Sequence, residues 1–277
     1  RYDSAYSYRT FRIKKKSGGY REIRAPTPDL KRAQKDLLRQ LEGTVPVSPF
    51  SHGFVKTRNS VTAAMPHIGK ELVINMDIKD FFPSITKRRM VKVLKETKEM
   101  DPGLTNAISL LCFVPYEEQW ALPQGAPTSP YLSNIFLRDM DWRIGRYGIE
   151  HYTNFDYTRY ADDLTISADD RNVRTMIKVI GTYLENQGLT INKKKLRIMR
   201  PHRRQEVCGI VVNKKINLPR KYRKIIRAMK HQKNMTKSAR GHYSHEHSVY
   251  EIDYDTFRYR TSAIVTAWKV QKRLSEG

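Results

Sequence analysis

Asp77 and the adjacent pair Asp162-Asp163 are the side chains best suited to chemistry. Asp77 closes an apolar, β-forming run (Leu72, Val73, Ile74, Met76), and Asp162-Asp163 sits at the centre of another, from Thr158 to Ser167. Consecutive side chains on a regular strand point to opposite faces, so two neighbouring aspartates can serve one point only where the pleat breaks, as at a tight hairpin. Three carboxylates converging in a basic protein make a hard-oxygen site suited to Mg²⁺, with Mn²⁺ as a substitute. Such an ion keeps waters and takes substrate phosphates as further ligands. Two ions about 3.5–4 Å apart would clamp the attacking and leaving oxygens of an in-line phosphoryl transfer. An Asp-Asp pair alone is a weak signal: Asp169-Asp170 is a second one in the same chain and reads as an exposed turn.

The charge supplies a substrate class. The 277 residues carry 52 Lys+Arg against 28 Asp+Glu, a formal net charge of +24. From Gln187 to His245 there are 18 Lys+Arg and one acid, Glu206, so this stretch holds 17 of those 24 charges. Nucleic acid is the natural counterpart, since neutralising phosphates releases condensed counterions. The competing readings are a solvated basic face and an anionic membrane surface; no markedly apolar helix face accompanies the charge, which disfavours the latter. At 39% hydrophobic residues the chain can bury a core, which excludes a disordered class. It has no apolar run of about 18 residues and no signal-like N-terminus, and Cys112 and Cys208 cannot build a disulfide framework or a CxxC zinc site. A soluble, cytoplasmic protein is expected.

The elements that would position these residues alternate. Phe11 to Ala25 reads as two strands around Lys16-Ser17-Gly18-Gly19, and Asp29 to Leu41 as a helix. Pro46 to Pro49 interrupts, Ser51-His52-Gly53-Phe54 opens irregular structure, and Val61 to Ile68 is short and mixed. Glu71 to Ile78 is a strand; Met90 to Leu94 and Leu104 to Leu111 are helical stripes. After a Pro/Gly-rich loop at Leu122 to Pro130, one helix is expected through Leu132, Ile135, Phe136 and Met140, with Pro130 in its first turn. Thr158 to Ser167 is a strand–turn–strand, and Val173 to Leu184 a helix closed by Gly188. Strands follow near Val207 to Val212 and Ile216 to Leu218, then a basic helix from Pro219 with Tyr222, Ile225, Ile226 and Met229 on its apolar side. A last helix is expected from Asp255 to Lys272. The pattern, without internal repeats, is an α+β body with a helical appendage.

Context lifts the aspartate pair above background. Tyr160-Ala161-Asp162-Asp163 is the YxDD signature of reverse transcriptases. Asn75-Met76-Asp77-Ile78-Lys79-Asp80-Phe81-Phe82-Pro83-Ser84-Ile85 resembles their first palm motif, and Leu122-Pro123-Gln124-Gly125-Ala126-Pro127-Thr128-Ser129-Pro130 the second. The three follow in the family's order, and over roughly residues 8 to 235 the chain resembles bacterial retron-type reverse transcriptases. That resemblance implies a right-hand polymerase. Its fingers would span 1–70, with an N-terminal part missing. The palm, an antiparallel sheet with packed helices and remaining fingers elements, would span 71–212, and a small helical basic thumb 213–277.

The resemblance also implies roles. Asp77 and Asp162 hold the metal pair, Asp163 completes or orients it, and Ile78 beside Asp77 is counted with both the metal and the substrate residues. Phe82 takes the ribose-sensing place, where a bulky ring against C2′ leaves no space for a 2′-hydroxyl; the competing reading is that Phe81 and Phe82 fill core, one of them at least. Gln124 contacts the incoming nucleotide, and Gly125 and the prolines shape its loop. Lys14, Lys15 and Arg21 flank the fingers turn and grip the triphosphate through charge-assisted bonds, with a solvated role as the alternative for each lysine. Asn192-Lys193-Lys194-Lys195 falls where a polymerase lysine protonates pyrophosphate, and the sequence singles out none of the three. Val207-Cys208-Gly209 resembles the retron VTG element near the primer grip, with cysteine in place of threonine. Ala63-Ala64-Met65-Pro66-His67 stands where retrons carry NAxxH, with Ala63 replacing asparagine; His67 is an RNA contact or a capping or core histidine. His242, His245 and His247 read as a solvated loop. The helix from Pro219 to Lys237 carries eight Lys+Arg and no acid. Of these Arg220, Lys221, Arg223, Lys224, Arg227 and Lys230 are assigned to a duplex backbone, which such contacts position without reading bases.

The function this implies is RNA-directed DNA synthesis from deoxynucleoside triphosphates on a structured noncoding RNA, in antiviral defence. Its partners would be that RNA, the DNA product and an effector protein. The alternatives are another defence-associated or group II intron-like reverse transcriptase, and a non-catalytic RNA-binding scaffold that keeps a polymerase shape.

Overall fold

The computed structural model describes residues 7–15, 18–169 and 172–231, together with Val249. Lys16, Ser17, Asp170, Lys233, Lys237, the side chain of Lys230, the His242/His245/His247 group and the helix expected over Asp255 to Lys272 lie outside the described residues.

The chain opens with a hairpin, β1 (Tyr8–Lys14) and β2 (Tyr20–Pro26), as its β-branched and aromatic residues predict. Pro28 sits in the first turn of α1 (Pro28–Thr44), where its missing N–H is no loss, and Leu30, Leu37 and Leu41 form its buried face. The mixed stretch after it resolves into a short helix, α2 (Ser60–Ala64), and a 3-10 turn (Met65–His67). Asn59 starts α2 with a capping box: its side chain accepts from the Val61 and Thr62 amides, while the Thr62 hydroxyl accepts from the Asn59 amide. Then come β3 (Leu72–Asp77), α3 (Phe81–Ser84), α4 (Lys87–Glu96), α5 (Pro102–Leu111) and a small hairpin, β4 (Val114–Tyr116) and β5 (Gln119–Ala121).

The single helix expected through Met140 is two. α6 (Ser129–Phe136) and α7 (Arg138–His151) meet at Leu137. α6 is buried from Tyr131 to Phe136, so it has no polar face whose phase would mark its end. α7 runs on past Met140 because Gly145 and Gly148, which look like breakers in the sequence, are contact points: a Cβ on either would strike the ring of Phe50 or Phe155. The remainder is β6 (Asp156–Tyr160), β7 (Asp163–Ala168), α8 (Val173–Asn186), a 3-10 turn (Lys193–Lys195), β8 (Arg197–Met199), β9 (Glu206–Val207), β10 (Ile210–Val211) and α9 (Arg220–His231). The strand expected over Ile216 to Leu218 shrinks to one bridge, Asn217 to Val211, held by a reciprocal pair of backbone bonds.

The centre is an antiparallel sheet in the order β6-β7-β3-β8. Alternation along β3 sends Leu72, Ile74 and Met76 into one apolar cluster, shared with α1 and α4–α8, and Val73 into a second. On β6 and β7, Tyr157, Leu164, Ile166 and Ala168 join the first cluster, whereas Thr158, Thr165 and Ser167 face the other way and are buried. That second face therefore needs hydrogen bonds as well as packing. α2, which precedes residue 70, packs on β6 and on this second cluster.

Candidate active site

The register of the central hairpin makes the Ala161-Asp162 turn. Tyr160 pairs with Asp163, leaving Ala161 and Asp162 as its two loop residues, and Ala161 has a φ of 57°. A left-handed alanine costs on the order of 1 kcal/mol or more, so neighbouring structure must hold it. Two features do. Gly53 lies flat against the turn, since a Cβ there would come within 2.5 Å of the Ala161 amide nitrogen. Arg159, wholly buried, donates to the Ala161 carbonyl (3.1 Å) and to Asn134 Oδ1 (3.0 Å). Its guanidinium also forms a two-pronged pair with the buried Asp141 of α7 (2.8 Å each), which accepts a third bond from the Tyr157 hydroxyl (2.7 Å). Neither Arg159 nor Asp141 stood out in the sequence; an ionic residue inside an apolar β-run was the available signal.

The same register sets Asp77 directly across from Asp163, and the Ile78 amide donates to the Asp162 carbonyl (3.0 Å). The three carboxylates thus gather at one end of the sheet. Desolvation is the first cause raising the Asp162 pKa, and Asp77 adds to it. Desolvation followed by repulsion from Asp162 and Asp77 pushes Asp163 up to about 6. All three lysines the sequence left open line the cleft described below, and Lys195 is the one bonded to an aspartate: its Nζ lies 2.7 Å from Asp77 Oδ2, and that bond raises the lysine's own pKa. Asn192 backs the same aspartate, its amide donating to the Asp77 carbonyl (2.7 Å) and its side chain to Oδ1 (3.4 Å).

Asp77 and Asp162 form part of the wall of a cleft of about 820 Å³. Lys15, Arg21, Phe82 and Gln124 line it too, so residues from the first hairpin, β3, α3 and the Leu122–Pro130 loop are brought together. Lys14 is not among its lining. Phe81 and Phe82 both border the cleft; Phe81 is buried in the core, and Phe82 is half-buried against it. Ile78 borders the cleft, but the residue is 2% exposed, its side chain packs in the core, and its amide is given to the Asp162 carbonyl. Gln124 is tied by its carbonyl to the Arg24 amide (2.8 Å). Gly125, at φ 126°, lets β2 pass this close: a Cβ would sit 2.9 Å from Ile23 Cγ2 and 3.0 Å from the Arg24 oxygen. Tyr116 was missed by the sequence reading; it lines the cleft beneath the Arg24 guanidinium, 3.9 Å from its ring centre.

Val207-Cys208-Gly209 is a tight turn between β9 and β10, with positive φ at both Cys208 and Gly209. Val207 is fully buried in the second cluster, so its side chain is core and not a nucleic-acid contact. Burial first, then the Asp163 and Asp162 carboxylates, push the Cys208 thiol up to about 12. His67 is likewise corrected to a core role. It is 0% exposed, with Nε2 2.8 Å from Thr158 Oγ1 and Nδ1 2.7 Å from Ser167 Oγ. Thr158 spends its own hydrogen on the Ala63 carbonyl, so it must accept from Nε2–H, and Ser167 must donate to Nδ1. This histidine satisfies the polar face of the sheet. On α9, Arg220, Lys221, Lys224 and Arg227 are exposed and Arg223 is half-buried. Ile226 is buried and Tyr222 packs beside it, but Ile225 is 38% exposed. Adjacent helical positions lie about 100° apart, so the 222, 226, 229 stripe excludes residue 225.

A divalent cation fits this chemistry. Oxygen donors that repel one another, with a lone ammonium against Asp77, are what a hard dication neutralises. Asp77 and Asp162 supply the donors in the cleft, and Asp163 stands at its edge. As placed, and among the described residues, no three His, Cys, Asp or Glu side chains form a ready-made metal-holding group.

A carboxylate-tipped antiparallel sheet flanked by helices, with a basic hairpin across the cleft, defines a right-hand polymerase. The pattern of the family "Reverse transcriptase (RNA-dependent DNA polymerase)" matches residues 13–245. The retron Mx65 reverse transcriptase of Myxococcus xanthus is 36% identical over 255 residues, covering 86% of this chain and 58% of that protein. The retron Ec86 reverse transcriptase of Escherichia coli is 34% identical over 236 residues, covering 83% and 71%. The chain thus spans little more than half the length of the Myxococcus relative. A solved apo telomerase from Candida tropicalis, truncated from its C-terminal domain, superposes with a TM-score of 0.56 at 12% identity, over 78% of this chain and 55% of that one. That likeness speaks for the fold alone. The chain belongs to the reverse transcriptase family, and within it to the retron type.

Proposed function

We propose that the protein is an RNA-directed DNA polymerase that copies a structured noncoding RNA into DNA, in the setting of antiviral defence that the retron type suggests. The observation that carries the reading is the single cleft in which Asp77 and Asp162 share a wall with Lys15, Arg21, Phe82 and Gln124. Magnesium, held by Asp77 and Asp162 with Asp163 alongside, would supply charge neutralisation for the reacting oxygens.

The chain's own residues do the rest. Lys15 and Arg21 hold the triphosphate by charge-assisted bonds. Phe82 sets its ring against the sugar, and Gln124 braces the base side. The primer's terminal hydroxyl oxygen gives its proton to solvent water and forms a bond to the α-phosphorus, while the bond from that phosphorus to the pyrophosphate oxygen breaks. Lys195 keeps a proton at Nζ beside Asp77, from which the departing pyrophosphate can take it. The fingers, palm and thumb divide near residues 70 and 212, and the exposed cations of α9 track the template–primer backbone.

Extension of a DNA primer on an RNA template with Mg²⁺ and deoxynucleotides tests the reading. Wild type extends, whereas Asp162→Asn loses at least a hundredfold in rate and still binds RNA. Equal rates for the two proteins would sink the site assignment. Phe82→Val is expected to raise ribonucleotide incorporation, read as the ratio of ribo- to deoxynucleotide in the product.

A further inference from the structure

A second groove lies outside the catalytic cleft and shares no lining residue with it. It encloses about 940 Å³ between α4, the end of α5 and the β4–β5 hairpin. α4 buries Met90 and Leu94 and turns its cations outward. Lys87, Arg88, Arg89 and Lys92 line the groove against one carboxylate, Glu118. Arg88, Arg89 and Lys92 are exposed; Arg89 donates to the Gly188 carbonyl (3.1 Å), and Lys92 lies 3.9 Å from the Glu96 carboxylate one turn on. The groove also holds the indole of Trp120, 37% exposed, with the Lys87 ammonium 5.7 Å from its ring centre. Ser109 forms the opposite wall, and beside it Leu110 is 66% exposed.

Strand alternation sends Tyr116 and Trp120 to different sites, although Gln119, the partner of Tyr116, also borders the outer groove. In the β4–β5 hairpin Tyr116 pairs with Gln119 and Pro115 with Trp120, so Tyr116 and Trp120 occupy adjacent pairs and face opposite sides. Tyr116 enters the catalytic cleft, and Trp120 enters the outer groove. An accessible aromatic face surrounded by mobile cations is the arrangement that holds a single strand: a base stacks on the ring and the flanking phosphates meet the ammonium and guanidinium groups. A duplex would offer the phosphates but no free base for Trp120.

We propose that this groove binds single-stranded nucleic acid, an unpaired stretch of the RNA that the polymerase engages, at a site separate from the one where chemistry occurs. This rests on the polymerase reading above, and its test is separable from it. The probe is a fluorescein-labelled twelve-nucleotide oligouridylate, followed by anisotropy on the full chain in the presence of excess blunt hairpin duplex to occupy the catalytic cleft. A matching oligouridylate with 4-thiouridine is crosslinked and mapped by mass spectrometry. Trp120→Ala is expected to weaken the oligonucleotide on the order of tenfold. Lys87→Glu with Arg88→Glu and Lys92→Glu is expected to weaken it further and to flatten its salt dependence. Crosslinks should fall on peptides bearing Trp120 or residues 87–92, while extension of a saturating primer–template stays within twofold of wild type. Undiminished oligonucleotide binding in both variants, or crosslinks confined to the cleft and α9, would overturn the groove. Loss with the charge reversals but not with Trp120→Ala would overturn stacking as its mode, as would equal competition by duplex. A wild type that binds the oligonucleotide through the groove yet never extends a primer would instead refute the polymerase reading.

Discussion

Arg159 carries an electrostatic burden out of proportion to its visibility. A guanidinium and a carboxylate removed entirely from water are tolerable only as a fully bonded pair, and removing one partner leaves the other charged and stranded. Asp141→Leu or Arg159→Met alone is therefore expected to destabilise the fold by about 3–5 kcal/mol in urea unfolding. The double substitution should recover most of that loss, because no buried charge remains, yet leave primer extension impaired, since the Ala161 carbonyl still lacks its donor. Lys195 differs in being largely exposed around its bond to Asp77. Lys195→Met should lower the extension rate and also lower the urea midpoint, since it leaves the nearly buried Asp77 carboxylate, 8% exposed, without its ammonium partner.

At the scale of elements, the turn between β6 and β7 is shaped by a segment far away in sequence. Gly53→Ala must push the Ala161 amide or bend its own turn, and overpacking of this kind costs roughly 1–3 kcal/mol. The expected signature is a drop in extension rate larger than the change in stability implies, because the displaced residue adjoins Asp162. Gly125→Ala should act on the other wall of the cleft by forcing the Leu122–Pro130 loop away from β2, and so raise the KM for deoxynucleotide more than it lowers the rate.

For the molecule as a whole, two buried histidines link stability to pH. His52 and His67 are both held down to about 3, first by burial and then by nearby cations, against an ordinary value of 6.5. Below 6.5 the unfolded chain takes up protons that the folded one refuses, so each histidine subtracts stability as pH falls from 6.5 toward 3. Above 7 neither contributes. Asp162 and Asp163, whose pKa values are raised, work in the opposite sense, so the clean readout is a comparison between proteins. The stability advantage of wild type over His67→Gln should shrink by about 2 kcal/mol between pH 7 and pH 5, measured by urea unfolding. RNA affinity should fall steeply with salt, and replacing Arg220, Lys221, Lys224 and Arg227 by glutamine should flatten that slope.

The sequence by itself determined the chemistry and its neighbourhood: local spacing encodes the strand that ends in Asp77, the hairpin around Asp162-Asp163, and the helix phase that makes α9 basic on one side. Those signals are short-range, as period-2 and period-3.6 patterns act within one element. Long-range contacts placed residues that look equivalent along the chain in different surroundings. They set Lys195 against Asp77 in a cleft that Lys193 and Lys194 also line, buried Phe81 more deeply than Phe82, took His67 and Val207 into the core, and placed Arg159, Asp141 and Gly53 around the Ala161-Asp162 turn. Each of those choices depends on contacts between residues tens of positions apart, and the free energy of such a contact belongs to the packed pair, so no window of sequence contains it.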